Sequence, residues 1–162
     1  METNIERAAK LLLEKKLTIA FAESATAGRL SAEFSLTKDA GKYLKGSLVC
    51  YDACLKEDIL KVDKKLIQDC TPESAEVTMA IAFGLENLIK ADIHIGVTGL
   101  PAPGGSETIE KPVGTMFTCA VKGGKVLFQD RHVFSGSPEE IILGAIDRIA
   151  VLLAKQLTVK IL

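Results

Sequence analysis

Residues 21–30 read FAESATAGRL, and the layout of the chain turns on how they are placed. Just before Ala22, Leu17-Thr18-Ile19-Ala20-Phe21 is apolar, partly β-branched and about as long as a buried strand. After it, Leu30, Phe34 and Leu36 recur at helical spacing. The stretch is therefore a strand-to-helix turn, the kind of place where side chains are displayed at the end of a sheet strand, and Ser24 stands on it. A hydroxyl there either caps a helix or serves as a nucleophile, and the turn alone does not choose between them.

The flanking segments supply the other layers. Asn4, followed by Ile5, Ala8, Ala9, Leu11, Leu12 and Leu13, predicts a capped amphipathic helix that closes near Lys15 and Lys16, whose charges suit a helix C-terminus. A helix is expected from about Ala27 to Leu36, then the polar loop LTKDAGKYLKG, then a strand Ser47-Leu48-Val49-Cys50-Tyr51 with Tyr51 at its C-terminal end. Ala53 to Leu60 has helical spacing. Thr71-Pro72-Glu73 predicts a helix start, with a capping hydroxyl, proline at the first helical position and an acid favoured by the dipole; the helix should run to about Lys90, with Val77, Ala80, Ile81, Leu85, Leu88 and Ile89 inward.

A strand Ile93 to Thr98 follows, then the glycine- and proline-rich loop GLPAPGGSETIEKPVG. Val113 to Val121 and Val126 to Val133, joined by Lys122-Gly123-Gly124-Lys125, predict a β-hairpin. Ser137-Pro138-Glu139-Glu140 is a capping box that opens a long terminal helix. The element order predicts one layered α/β/α domain over residues 1–162, with a mixed sheet of parallel strands plus an antiparallel hairpin. Ligands on such sheets bind where strands end, so the turn from Ala22 to Thr26, the turn from Asp52 to Lys56 and the loop from Gly99 to Ser106 are expected to converge.

Composition narrows the partners. With 20 Lys and Arg against 21 Asp and Glu, the net charge is -1, which gives no electrostatic footprint for nucleic acid or an anionic membrane. The N-terminal METNIERAAKLLLEKK alternates charge with apolar residues, and no apolar run reaches membrane-spanning length, so a cytoplasmic protein is expected. Cys50, Cys54, Cys70 and Cys119 show no Cys-x-x-Cys spacing, and His94 and His132 lie far apart, so no metal site is expected and the cysteines are read as structural. His94 is read as a strand residue with a satisfied ring.

For Ser24 to act as a nucleophile it needs a base within hydrogen-bond reach. No histidine is close in this reading. The alternative is a lysine whose pKa is lowered by burial, and Lys56, 32 positions later, is the one best placed by topology. Tyr51 could bridge the two, and the backbone N–H groups of Ala25 and Thr26 could hold an oxyanion. Against this stand plainer readings: Ser24 as a cap, Lys56 beside Glu57 and Asp58 as a solvated helix face, Tyr51 as a packed strand end, and Glu23 as a cap or a partner of a cation. The loop with Pro101, Pro103, Gly104 and Gly105 matches neither a P-loop nor a dinucleotide fingerprint.

Several segments resemble those of one family. Ala22-Glu23-Ser24-Ala25-Thr26-Ala27-Gly28 is similar to the A-E-S-C-T-G-G signature of the CinA C-terminal domain family of competence/damage-inducible proteins, whose members include nicotinamide mononucleotide deamidases. Val49 to Lys56 resembles its V-x-Y-S-N-x-x-K segment, Val97 to Gly105 its V-T-G-x-A-G-P-G-G segment, and Glu110-Lys111-Pro112-Val113-Gly114-Thr115 its K-P-V-G-T-V segment. The chain looks like a stand-alone form of that domain. The resemblance implies an amidohydrolase of pyridine nucleotide salvage that converts nicotinamide mononucleotide to nicotinate mononucleotide and ammonia with no metal or cofactor. It implies Ser24 as nucleophile, Lys56 as base, Tyr51 as the residue aligning them, and Glu23, Thr98, Gly99, Gly104, Gly105 and Lys111 as substrate contacts.

The chain also departs from the family. Where the family carries F-x-G-D-R, this sequence reads Phe134-Ser135-Gly136-Ser137-Pro138, so the supporting arginine is replaced by proline; Asp52-Ala53 replaces Ser-Asn, and Ala25, Ala27 and Pro101 replace a cysteine, a glycine and an alanine–glycine element. Two further readings therefore stand beside the deamidase. One is a nucleotide-binding or regulatory module with weak or no catalysis. The other is an amidohydrolase on a different small amide, with Arg29, Lys111 or Arg131 supplying the cation. Self-association as a homo-oligomer is expected from the apolar helix faces, and a neighbouring subunit would be another source of that cation.

Overall fold

A computed structural model describes residues 1–159. The element order is α1 (Asn4–Lys15), β1 (Ile19–Glu23), α2 (Arg29–Ser35), β2 (Leu44–Val49), α3 (Ala53–Asp58), α4 (Lys64–Cys70), α5 (Ala75–Glu86), β3 (Ile93–Gly99), β4 (Thr115–Lys122), β5 (Lys125–Val133) and α6 (Pro138–Thr158). The five strands form one sheet in the order β2-β1-β3-β4-β5. β1 pairs in parallel with β2 and β3, whereas β3–β4 and β4–β5 are antiparallel. This is the expected mixed sheet, with the hairpin turning at Gly123 and Gly124, both at positive φ.

Alternation along β1 builds the three layers. Ile19 and Phe21 join Leu12 of α1, Leu30 and Phe34 of α2 and the inner face of α6 in one core. Ala20 and Ala22 face the other way, onto Ile67 of α4 and Val77, Ile81 and Leu85 of α5. Fully burying a side chain such as Phe21 or Phe34 stabilises by roughly 1.5–3 kcal/mol, and their rings stand 5.2 Å apart in a tilted pair. α5 sits close against β3 because residue 96 is glycine; a Cβ there would lie 2.6 Å from the Thr78 carbonyl oxygen and 2.8 Å from Ile81 Cγ1.

Several boundaries differ from the sequence expectation, each for a local reason. Thr3, not Asn4, caps α1 in a reciprocal box with Glu6, and the Asn4 amide instead donates to Asp147 of α6. α2 starts at Arg29 because Ala27 and Gly28 are left-handed, at φ +48° and +93°. Leu36 therefore falls just beyond the short helix and is exposed, and Leu88 is exposed beyond the end of α5. α4 was not expected. It ends at Thr71, whose φ of +70° breaks the helix, so Ser74 becomes the cap of α5 and Thr71-Pro72-Glu73 forms the bend before it. No helix among the described residues is long and apolar enough to cross a membrane.

Candidate active site

Ser24 is the first residue after β1, and its backbone is held on both sides. Its N–H donates to the Val97 carbonyl of the β3 strand at 3.0 Å, and the carbonyl of Glu23 accepts from Cys50 N–H at 2.9 Å. β2 lies on one side of β1 and β3 on the other, so the chain leaves β1 at the point where the winding of the sheet reverses. The Glu23–Cys50 bond also draws the segment after β2 toward Ser24.

That segment delivers the base candidate. Asp52 caps α3, accepting from Cys54 N–H at 2.9 Å, and Lys56 lies on the one turn this helix makes before it ends. Its side chain is only 1% exposed. The Nζ donates to the Cys50 carbonyl at 2.7 Å and to Ser24 Oγ at 3.0 Å. No carboxylate forms an ion pair with it among the described residues. Burial pushes the amine below the ordinary lysine value, opposed first by Cys50 and then by Glu73. A buried lysine with a lowered pKa in contact with a serine hydroxyl can take up and return that hydroxyl's proton.

Above the pair lies a cavity of about 210 Å³, lined by Ser24, Ala25, Tyr51, Glu73 and the loop from Gly99 to Gly105. Two of the three expected convergent segments therefore line it directly, and the third contributes Tyr51 from just before it. A larger groove of about 600 Å³ beside α1 and Thr37 to Asp39 contains no buried ionisable group. Tyr51 stands two residues beyond β2 rather than at its end, is 67% exposed, and makes no hydrogen bond to Ser24 or Lys56, which touch each other directly. It is a wall of the cavity mouth and not a bridge within the pair.

The N-terminus of α2 serves Glu23 instead of an oxyanion. Glu23 is fully buried, and Oε1 accepts from Ser31 N–H at 2.7 Å. Burial pushes its carboxyl up to about 7, against the Ser31 N–H that pulls it down, and the buried Oε2 has no hydrogen-bond partner among the described residues. Glu23, which the family resemblance implied as a substrate contact, does not line the cavity; its carboxylate meets the N-terminal turn of α2, the plainer of its two readings. Ala25 and Thr26 precede the helix, in the turn itself, and their N–H groups donate to no acceptor among the described residues.

Other expected contacts are engaged elsewhere. The Thr98 hydroxyl is buried against that of Thr78 at 2.8 Å, on the α5 side of the sheet. Gly99, Gly104 and Gly105 line the cavity, but the N–H groups of Gly104 and Gly105 both donate to the Glu107 carboxylate at 2.8 Å. Lys111 Nζ has three acceptors: Thr71 Oγ1 at 2.6 Å, the Glu73 carbonyl at 2.8 Å and Ser106 Oγ at 2.8 Å. It staples the 99–114 loop to the bend before α5 and has no proton left for a ligand.

The other proposed cations are also occupied. Arg29 pairs with Glu33 and Glu139, and Arg131 donates to the Glu110 carbonyl and lies over the Phe117 ring. At the start of α6, Ser137 and Glu140 cap the helix reciprocally.

Glu73 was missed as a site residue. Taking Thr71 as the cap places Glu73 in the first helical turn; taking Ser74 as the cap places it just outside the helix, at the cavity wall, where the structure has it. His94 is a strand residue as expected, but its ring is only half satisfied: Nε2 is hydrogen-bonded to the Ile89 carbonyl at 2.6 Å, while the buried Nδ1 has no partner among the described residues; Cys50 and Cys119 are buried free thiols.

Fold and site together define an α/β/α domain that brings a serine and a buried lysine into contact at the end of its central strand. The chain belongs to the CinA C-terminal domain family, whose model matches residues 1–157. It is 36% identical over 125 residues to a CinA-like protein of Thermosipho melanesiensis, covering 77% of this chain and 31% of that protein. With a CinA-like protein of Dictyoglomus thermophilum the identity is 35% over 143 residues, covering 88% and 34%. The chain thus spans about a third of the length of these curated relatives.

Crystal structures of competence-damaged protein (CinA) superfamily proteins superimpose closely. The one from Enterobacter cloacae gives a TM-score of 0.89 at 25% identity, covering 98% of this chain and 94% of that chain. The one from Escherichia coli gives 0.86 at 25% identity, covering 96% and 89%.

Proposed function

We propose that the domain is a cytoplasmic amidohydrolase that converts nicotinamide mononucleotide to nicotinate mononucleotide and ammonia. The observation that carries this reading is the contact between the buried Lys56 amine and the Ser24 hydroxyl at the base of the cavity. Ser24 Oγ attacks the carboxamide carbon while its proton passes to neutral Lys56. The oxyanion meets the N–H groups of Ala25 and Thr26. Collapse breaks the C–N bond, and Lys56 returns the proton to the departing ammonia. A water then loses a proton to Lys56 as it attacks the acyl ester, and release of the acid restores the serine. No metal or cofactor is needed for these steps.

The test is ammonia release from nicotinamide mononucleotide, compared for the wild type and Ser24→Ala. Turnover by the wild type that disappears in the variant is expected; no wild-type turnover overturns the reading, and turnover that survives Ser24→Ala removes the pair from the mechanism. A second reading, binding with weak catalysis, is favoured by one observation: no lysine or arginine lines the cavity among the described residues, so the cation that the family arginine would supply is missing unless a neighbouring subunit brings it. Tight binding without turnover is the outcome that would select it.

A further inference from the structure

We infer that Glu73 selects the substrate by its charge, receiving the positively charged ring of a cationic amide while the remainder of the molecule points to solvent. The inference rests on the amidohydrolase reading of the same cavity and adds the residue that sets its substrate class.

Glu73 is the only carboxylate lining the cavity among the described residues, and the surrounding wall is made of small, apolar and backbone groups from the 99–105 loop. Its orientation is fixed. Oε2 accepts the Ser106 hydroxyl proton at 2.5 Å, Ser106 Oγ in turn accepts from Lys111 Nζ, and the same Nζ holds the backbone carbonyl of Glu73. Lys111 therefore reaches the carboxylate only through Ser106, and no direct ion pair forms. Oε1 has no hydrogen-bond partner among the described residues, and it lies 3.9 Å from where a Cβ on Gly105 would stand, against the loop wall. A half-buried, pre-positioned carboxylate with one open oxygen attracts a cation and repels an anion.

The rest of the loop reinforces that polarity. The backbone N–H groups of Gly104 and Gly105 are the natural anion-binding donors of this loop, and both are taken by the Glu107 carboxylate. A phosphate at that wall would have to displace one carboxylate beside another. The volume points the same way: about 210 Å³ is below the roughly 300–1,000 Å³ usual for drug-sized ligands, so it suits a carboxamide-bearing ring and not a whole nucleotide. Ring charge inward and phosphate outward is the arrangement that all of these features share.

The test is equilibrium binding by calorimetry of two probes, the ring-methylated nicotinamide cation and neutral benzamide, to the wild type, Glu73→Gln and Glu73→Asp. The wild type should bind the cation on the order of tenfold more tightly than the neutral amide. Glu73→Gln should lose that preference by weakening the cation alone, and Glu73→Asp, which keeps the charge, should retain part of it. The inference is overturned by a wild type without preference or without binding of either probe, by a preference that Glu73→Gln leaves intact, or by a variant that weakens both probes equally, as a purely structural role would. Binding needs no turnover, so failure of the amidohydrolase reading in the ammonia assay remains a separate result.

Discussion

The Nζ of Lys56 lies 3.0 Å from the Oγ of Ser24 across 32 positions of sequence, and 2.7 Å from the carbonyl of Cys50. The carbonyl fixes the direction of the amine and the hydroxyl completes its contacts, in a place that water scarcely reaches. Under the proposed mechanism lysine is necessary and arginine inadequate, because a guanidinium stays protonated and cannot accept the serine proton. Lys56→Arg and Lys56→Met should each lower ammonia release at least about 100-fold, within the range of a lost general base. Lys56→Met also removes a buried amine whose desolvation opposes folding, so its urea unfolding free energy should fall by no more than about 1 kcal/mol. Near-normal turnover in either variant would contradict the assignment of the base.

The pH dependence follows from the same burial. In the proposed mechanism the neutral amine is the active form, and burial lowers its pKa from the ordinary 10.5, so kcat/KM should rise with pH to an inflection below that value. Glu73 favours the ammonium form, so Glu73→Gln should move the inflection to still lower pH. A pH–rate profile in which the inflection stays put or moves up would show that Lys56 is not the titrating group.

Ala27 holds a left-handed φ of +48°, where the family signature carries glycine. A Cβ in that region is strained, so Ala27→Gly should stabilise the fold by about 0.5–1 kcal/mol, the strain relieved being partly offset by the greater freedom of glycine when unfolded. Urea unfolding of the two proteins decides this. A destabilised glycine variant would mean that the turn gains more from the methyl group than it loses to its backbone.

Glu23 predicts an unusual stability profile. Its carboxyl rests at about 7 in the folded chain against an ordinary 4.5, so between those values the folded chain keeps a proton that the unfolded chain has released. Stability should therefore fall as pH rises through this window, by at most on the order of 3 kcal/mol, while the contribution is fully present at lower pH. Unfolding measured at pH 5 and pH 8 should show a smaller fall for Glu23→Gln than for the wild type. Equal falls in both proteins would mean that Glu23 is not the group responsible.

Some of this architecture was legible because it is local. The short apolar, partly β-branched run Leu17 to Phe21 marks a buried strand, Lys122-Gly123-Gly124-Lys125 marks a hairpin turn, and Ser137 to Glu140 marks a helix start; each acts within a few residues. Boundaries set by single left-handed residues, Ala27 and Thr71, were not legible, since nothing but packing forces a non-glycine residue there. The same bend at Thr71 hid α4 and disguised Glu73 as a helical acid.

The sequence by itself determined the class of fold and which residue types stand on the turns after β1 and β2, because hydrophobic period and capping chemistry are written along the chain. Only the tertiary structure decided what those residues do to one another. The pairing of Cys50 with Glu23 carries Lys56 to Ser24, and burial in the folded chain removes its water. The same folding leaves Tyr51 in solvent and ties Lys111 to Ser106 and the bend. Proximity and desolvation arise from contacts between distant segments, and no local pattern records them.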